Sequence, residues 1–371
     1  MTNNPRPTTR FAMLGGFLGA GKTTLLAAIA SRYAAAGRSV GLITNDQAED
    51  LVDTLALRAQ GFTVGEVAGA CFCCSFDDLV RTAGSISEAP PEILLAEPVG
   101  SCTDLTATVV LPLQSIYGER FEVAPYGVLF KPHHGRKILG GKASGFSPQA
   151  EYIFRKQLEE ADYLMIGRSD TLSHEQIEEL KTLLDQAAPG VPVMAISPKT
   201  GVGVDEVIGY IESPLRAGAR TLDIDYDTYA EGEAELGWVN AATTATNSSS
   251  RSADETVLDL VRRTAERLSA LDGEIAHLKA SLMAGDCHAV ANVIGNGSEV
   301  ELGLASGRKL QGPVEVTVNA RVASDPERIE AAVHAAMQEW SAANDFTLQA
   351  IRSSAFRPGR PVPQHRMTSA T

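Results

Sequence analysis

The sequence is short of cations: 32 lysines and arginines stand against 46 aspartates and glutamates, a formal charge of −14. So acidic a chain excludes broad, sequence-independent binding to nucleic acid or to anionic membranes, both of which need dense Lys and Arg. No apolar run approaches the ~18 residues of a membrane-spanning helix. Residues 1–10 are polar and carry none of the apolar stretch of a secretory leader, so the expected setting is cytoplasmic. No internal repeat is present. Cysteine is scarce, and its five copies do not form separated pairs: Cys71, Cys73 and Cys74 crowd together, while Cys102 and Cys287 stand apart. That argues against a disulfide framework and leaves metal or redox chemistry for the crowded three.

What is there is ordinary globular composition, 44% hydrophobic and 21% charged over 371 residues, enough for two domains. Short apolar strands are expected at 11–14, 40–44, 92–96, 127–130, 163–166 and 193–196. A helix over 23–35 follows from the spacing of Leu25, Leu26 and Ile29. Apolar strands joined by helical crossovers predict an α/β domain over 11–215, a mostly parallel sheet flanked by helices. Such a sheet binds ligands at the carboxyl ends of its strands. Residues 216–252, acidic and then rich in Ala, Thr and Ser, read as a linker. Residues 253–345 read as a small C-terminal α+β domain, with 1–10 and 346–371 as loose tails. In that domain Val257, Val261, Ala265, Leu268 and Leu271 make a helical stripe. Valines and alanines alternating with polar residues over 314–322 predict an antiparallel strand with one wet face.

Gly16-Phe17-Leu18-Gly19-Ala20-Gly21-Lys22-Thr23 follows the first strand and opens the first helix, the context a G-x-x-x-x-G-K-[ST] phosphate loop requires. Gly16, Gly19, Ala20 and Gly21 would present backbone N–H groups to phosphates, with Thr24 in the first turn. Lys22 would reach the β- and γ-phosphates, and the Thr23 hydroxyl would bind Mg²⁺. An acidic residue ending a later strand is needed beside it. Glu97, followed by Gly100, supplies one, and Asp46 is a second candidate for magnesium or water positioning.

Cys71-Phe72-Cys73-Cys74 lies between these acidic loops. Thiolates suit soft transition metals, zinc first, with cobalt or nickel as alternatives. In an extended segment Cys74 would point away from Cys71 and Cys73, so the motif needs a loop conformation or an outside ligand. The fourth ligand stays open: His133 and His134 read as a loop pair, and Cys102 as a small buried residue. His277, Cys287 and His288 read as structural positions on strands.

These motifs in this order resemble the CobW-type P-loop GTPases, relatives of the nickel-insertion GTPases of urease and hydrogenase. The resemblance covers roughly residues 11–211. It implies Mg²⁺-dependent GTP hydrolysis coupled to delivery of a transition metal, or a metal cofactor, to a client metalloprotein. Lys22, Asp46 and Glu97 then serve catalysis, Thr23 and Glu97 the magnesium, and Cys71, Cys73 and Cys74 the cargo metal. The family reads guanine with N-K-x-D, where this chain has Gly167-Arg168-Ser169-Asp170. Asp170 keeps an acceptor for guanine, Arg168 is expected to cover the base, and Ser197 falls in the remaining base-side loop. The missing Asn leaves ATP use open. An ATP-using small-molecule kinase or a non-hydrolysing metal- or nucleotide-responsive regulator are the competing readings, and a thiolate site shared across a homodimer is a further alternative.

Overall fold

The computed structural model describes residues 8–47, 52–247 and 250–368. Its first sheet has eight strands: β1 (Thr9–Gly16), β2 (Val40–Asp46), β3 (Val64–Ala68), β4 (Ile93–Glu97), β5 (Phe121–Val123), β6 (Gly127–Phe130), β7 (Tyr163–Ile166) and β8 (Val193–Ala195). The order is β3-β2-β4-β1-β6-β7-β8, with β5 pairing β1, and every pairing is parallel. Helices cover both faces, so successive residues of one strand enter different cores. Phe11 and Met13 of β1 pack on one side with Ile43, Leu94 and Phe130. Ala12 and Leu14 pack on the other with Leu25, Leu26 and Ile29 of helix Lys22–Ala35. This two-sided burial is why β4 and β7 read as unbroken apolar runs.

The second sheet contains β9 (Gly237–Asn247), β10 (Ile275–Ala284), β11 (Cys287–Val293), β12 (Glu301–Leu304), β13 (Val314–Val322), β14 (Phe346–Leu348) and β15 (Arg352–Phe356). Its order is β12-β11-β10-β13-β9-β14, β15 also pairs β9, and all pairings are antiparallel. Helices Ala253–Ser269 and Pro326–Ala343 pack on one face, tied together where the Trp340 indole donates to the Thr256 carbonyl at 3.0 Å.

Three expectations need correction. The segment read as a linker carries helix Tyr226–Glu235 and strand β9, which lies between β13 and β14 in the second sheet. Its small side chains suit a position packed on both sides: Ala241 and Ala245 are buried in the second core. The C-terminal stretch read as loose adds β14 and β15 to β9, and residues 362–367 then bond to the first domain near the cysteines. Finally, the polar face of β13 is wet only at Glu315. Thr317 and Arg321 are 7% and 3% exposed because this face packs toward the first domain, where Asn319 accepts the Val52 amide and Arg321 pairs with Asp46. Strand alternation showed that two environments existed; it could not tell water from another domain.

Candidate functional site

At the carboxyl end of β1 the chain turns through Gly16 (φ 132°), Gly19 (72°) and Gly21 (102°), backbone angles that disfavour a side chain. The turn lays down a loop whose walls, with the face of the second sheet, enclose a groove of about 440 Å³. Gly19, Ala20, Gly21, Lys22, Thr23, Thr24, Asp46, Glu97, Gly100, Arg168, Asp170 and Ser197 all line it. Gly16 lies at the strand end, where its carbonyl accepts the Lys22 ammonium at 2.8 Å. Gly100 is required by packing: a Cβ there would lie 2.9 Å from the Leu18 amide nitrogen, so the turn after β4 rests directly on the phosphate loop.

Thr23 Oγ1 is 2.7 Å from Asp53 Oδ1 and 3.1 Å from Glu97 Oε1, and Lys22 Nζ is 4.0 Å from Glu97. Burial pushes Glu97 up to about 7, Asp53 adds to the push, and Lys22 opposes it. Burial would raise Asp53 too, but Lys279, His277 and the Thr23 hydroxyl together outweigh it and bring Asp53 down to about 2. Burial lowers Lys22 against the pull of Glu97 and Asp53. Glu97 Oε2 is buried with no hydrogen-bond partner. An unsatisfied carboxylate oxygen beside a threonine hydroxyl and a second carboxylate is a hard oxygen donor set, and it fits Mg²⁺.

Two members of this constellation escape the sequence. Asp53, in helix Val52–Ala59, carries no motif of its own. Lys279 comes from β10 and pairs with Asp53 across the domain boundary. The domains also meet where Lys131 Nζ donates to Leu18 O at 2.9 Å and to Ala276 O at 2.8 Å. His277, expected to be structural, lines the groove and is held low by burial. Cys287 and His288 bond to Ser306 and Ser281 in the second domain. Asp46, expected to serve magnesium or water, lines the groove and lies 3.2 Å from Arg321, whose guanidinium stacks 4.1 Å from the Trp238 ring. Arg168, expected to cover the base, lines the groove with its guanidinium paired to Glu301 of β12, and Asp170 stands exposed on the same wall.

The cysteines sit in a helical turn, with the amides of Cys74 and Ser75 donating to Cys71 O at 3.0 and 2.9 Å. The turn overcomes the geometric objection to an extended segment. Sγ–Sγ distances are 3.3 Å for Cys71–Cys73, 3.3 Å for Cys71–Cys74 and 3.7 Å for Cys73–Cys74. Three thiolates at ~2.3 Å from a zinc ion would stand ~3.8 Å apart, so little movement is needed. Cys102 is the surprise. It is fully buried, and its thiol contact is the largest influence holding Cys71 well below the usual thiol value, followed by Cys73 and Cys74. Cys73 and Cys74 are pushed up by Cys71, Cys74 to about 11. The arrangement favours one thiolate, Cys71, cradled by neighbouring thiols. His133 and His134 do not join it. They lie in helix Pro132–Leu139 and group with Glu274 of the second domain.

Residues 10–195 match the model of the CobW/HypB/UreG nucleotide-binding domain. No curated protein matches the chain significantly. Among solved structures, HypB from Archaeoglobus fulgidus is 17% identical, covering 55% of this chain and 88% of that one at a TM-score of 0.40. Helicobacter pylori HypB in complex with nickel is also 17% identical, covering 55% and 86% at 0.38. The Zn(II)-bound YjiA GTPase from E. coli is 16% identical, covering 88% and 98% at 0.36.

Proposed function

The chain belongs to the CobW/HypB/UreG family through its nucleotide-binding domain, and from that membership we propose that it is a GTP-hydrolysing metallochaperone. It takes a soft transition ion, zinc foremost, with cobalt or nickel as alternatives, on Cys71, Cys73 and Cys74, and passes it to a client metalloprotein. The nucleotide's phosphates lie along the loop from Gly16 to Thr24, where Lys22 exchanges its bond to Gly16 O for the β- and γ-phosphates. Thr23 and Glu97 hold Mg²⁺, with Asp53 beside them. When bound, Mg²⁺ neutralises charge developing on the transferred phosphoryl oxygens. Asp46 at the groove wall and Gly100 on the loop are the groups placed to orient water. Asp170 and the Ser197 loop contact the base.

One observation carries the reading: the groove and the cysteine turn share a residue. Asn45 lines the groove, and its side chain bonds to the end of β3 at Val67 O and to the segment entering the cysteine turn at Ala70 O and the Phe72 amide. A change at the nucleotide therefore has a direct route to the cysteines.

An anaerobic Co²⁺ titration of the reduced protein, read by thiolate-to-metal charge transfer, tests this. The expected result is a band that disappears in Cys71→Ser/Cys73→Ser/Cys74→Ser. Its affinity should shift with Mg²⁺ and a non-hydrolysable GTP analogue but not with the ATP analogue. No band in any nucleotide state overturns the reading.

A further inference from the structure

Helix Pro132–Leu139 begins directly after Lys131, the residue that bonds both the phosphate loop and β10. Its first turn carries two adjacent imidazoles that meet edge to face, ring centroids 4.7 Å apart. Across the domain boundary, Glu274 stands just before β10, with its Oε1 2.8 Å from His134 Nε2. His134 is fully buried and Glu274 nearly so. One nitrogen from each ring and one carboxylate oxygen all lie within 4.8 Å of one another.

A hydrogen bond alone does not account for this cluster. His133 Nε2 is buried without a partner, and stranding a ring nitrogen in a protein interior is costly. Gly295 of the second domain comes so close that a Cβ would lie 2.5 Å from His133 Nε2. Any larger residue there would fill the space beside the ring. Burial, and after it Lys131, keeps both imidazoles neutral, His133 down to about 4, and a neutral ring is the form that ligates a metal.

We propose that His133, His134 and Glu274 form a second metal site, for one divalent ion of the zinc class, straddling the two domains. Two imidazoles and a carboxylate are a borderline donor set that suits Zn²⁺, Co²⁺ or Ni²⁺ and leaves a position for water or an incoming ligand. The ion replaces the His134–Glu274 hydrogen bond, the ring proton resting on Nδ1. It fastens the helix after Lys131 to the start of β10, and with it the second domain's side of the nucleotide groove. The site uses neither the cysteines nor the nucleotide-binding residues, so it stands or falls apart from the proposed metallochaperone activity.

The test uses the full chain carrying Cys71→Ser/Cys73→Ser/Cys74→Ser, titrated with Co²⁺ alone. Visible d–d absorption identifies the ligand set, and a competing chromophoric chelator counts the bound ion. The expected result is one equivalent with d–d bands and no thiolate charge transfer. Adding His133→Gln or Glu274→Gln should weaken binding at least tenfold. His133 is half-buried, so its variant reports on binding even if Glu274→Gln disturbs folding, which thermal melting will show. Three outcomes overturn the proposal: no bound Co²⁺, a charge-transfer band from Cys102 or Cys287, or affinity unchanged by both substitutions.

Discussion

Asn45 accepts the Phe72 amide at 2.8 Å, and Phe72 is the residue between the first two cysteines of the turn. The same side chain donates to Val67 O at 2.8 Å and Ala70 O at 2.7 Å. Only a carboxamide supplies two donors and an acceptor from one short stem. Its backbone lies in β2, between β3 and β4, so the clamp is anchored in the sheet that also carries Asp46 and Glu97.

Asn45→Ala strands two carbonyls and an amide in a mostly buried place, at a cost of about 2–4 kcal/mol. The Co²⁺ charge-transfer band should survive, because the thiols remain, while its dependence on nucleotide vanishes. Thermal melting gives the first quantity and titration with and without the GTP analogue the second. An unchanged nucleotide dependence would remove Asn45 as the link.

The phosphate loop and the parallel sheet were legible because local sequence writes them: glycines at obligatory turns, a helix start, apolar strands buried on both faces. The three crowded cysteines were legible for the same reason. What sequence missed is tertiary. Arg321 reads as a polar position on an amphipathic strand and Lys279 carries no signal, and only the docking of the second sheet's face on the first domain makes them partners of Asp46 and Asp53. Cys102 joins Cys71 because the turn after β4 brings it there, although many residues separate the two in sequence. Strand β9 was missed because alanines and threonines are weak signals of burial.

Base choice gives a second prediction. Position 167 has no side chain, and Arg168 pairs with Glu301, so the proposed function leaves discrimination between GTP and ATP to Asp170. A carboxylate accepts from guanine N1 and N2 and offers nothing matching to adenine. Asp170→Ala should lower GTP affinity roughly tenfold or more, the worth of one charge-assisted pair, and leave ATP affinity unchanged. Competition binding with a fluorescent nucleotide measures both. Equal losses for the two nucleotides would place base reading elsewhere.

Glu160 predicts a pH dependence. It is fully buried and accepts Thr103 Oγ1 at 2.9 Å and the Thr106 amide at 3.0 Å. Burial pushes it from an ordinary 4.5 up to about 8; Asp104 adds to the push, and the Thr106 amide and Thr103 hydroxyl oppose it. The folded form therefore holds a proton that the unfolded chain releases at lower pH. This contribution to stability is complete below about 4.5 and is lost as pH rises through about 8. Glu160→Gln keeps both contacts, its amide donating to Thr103 and its oxygen accepting from Thr106, and does not ionise. It should come close to the parent near pH 4 and exceed it near pH 9 by about 5 kcal/mol. Urea melts across that range check the difference, and a constant offset would show that Glu160 does not titrate there.

The C-terminal segment lies against the cysteine turn. The Val362 amide is 3.3 Å from Cys74 Sγ, and Gln364 bonds through its amide to Cys73 O and through its side chain to the Asp77 amide, both at 2.9 Å. His365 meets the Phe76 ring at 5.0 Å, and Arg366 reaches the buried Asp104 at 2.8 Å. These bonds close one approach to a cluster whose outer thiol, Cys74, is only half-buried. A chain ending at Gly359 should release Co²⁺ to a chelator about tenfold faster, since transfer then no longer waits for the segment to lift. Nucleotide affinity should not move, because none of these residues lines the groove. Truncation also leaves Asp104 without Arg366, which lowers stability, so Gln364→Ala, which spares that ion pair, serves as the milder variant. It should speed release in the same direction and by less. Release rates identical in all three proteins would show that the segment packs on the turn without guarding it.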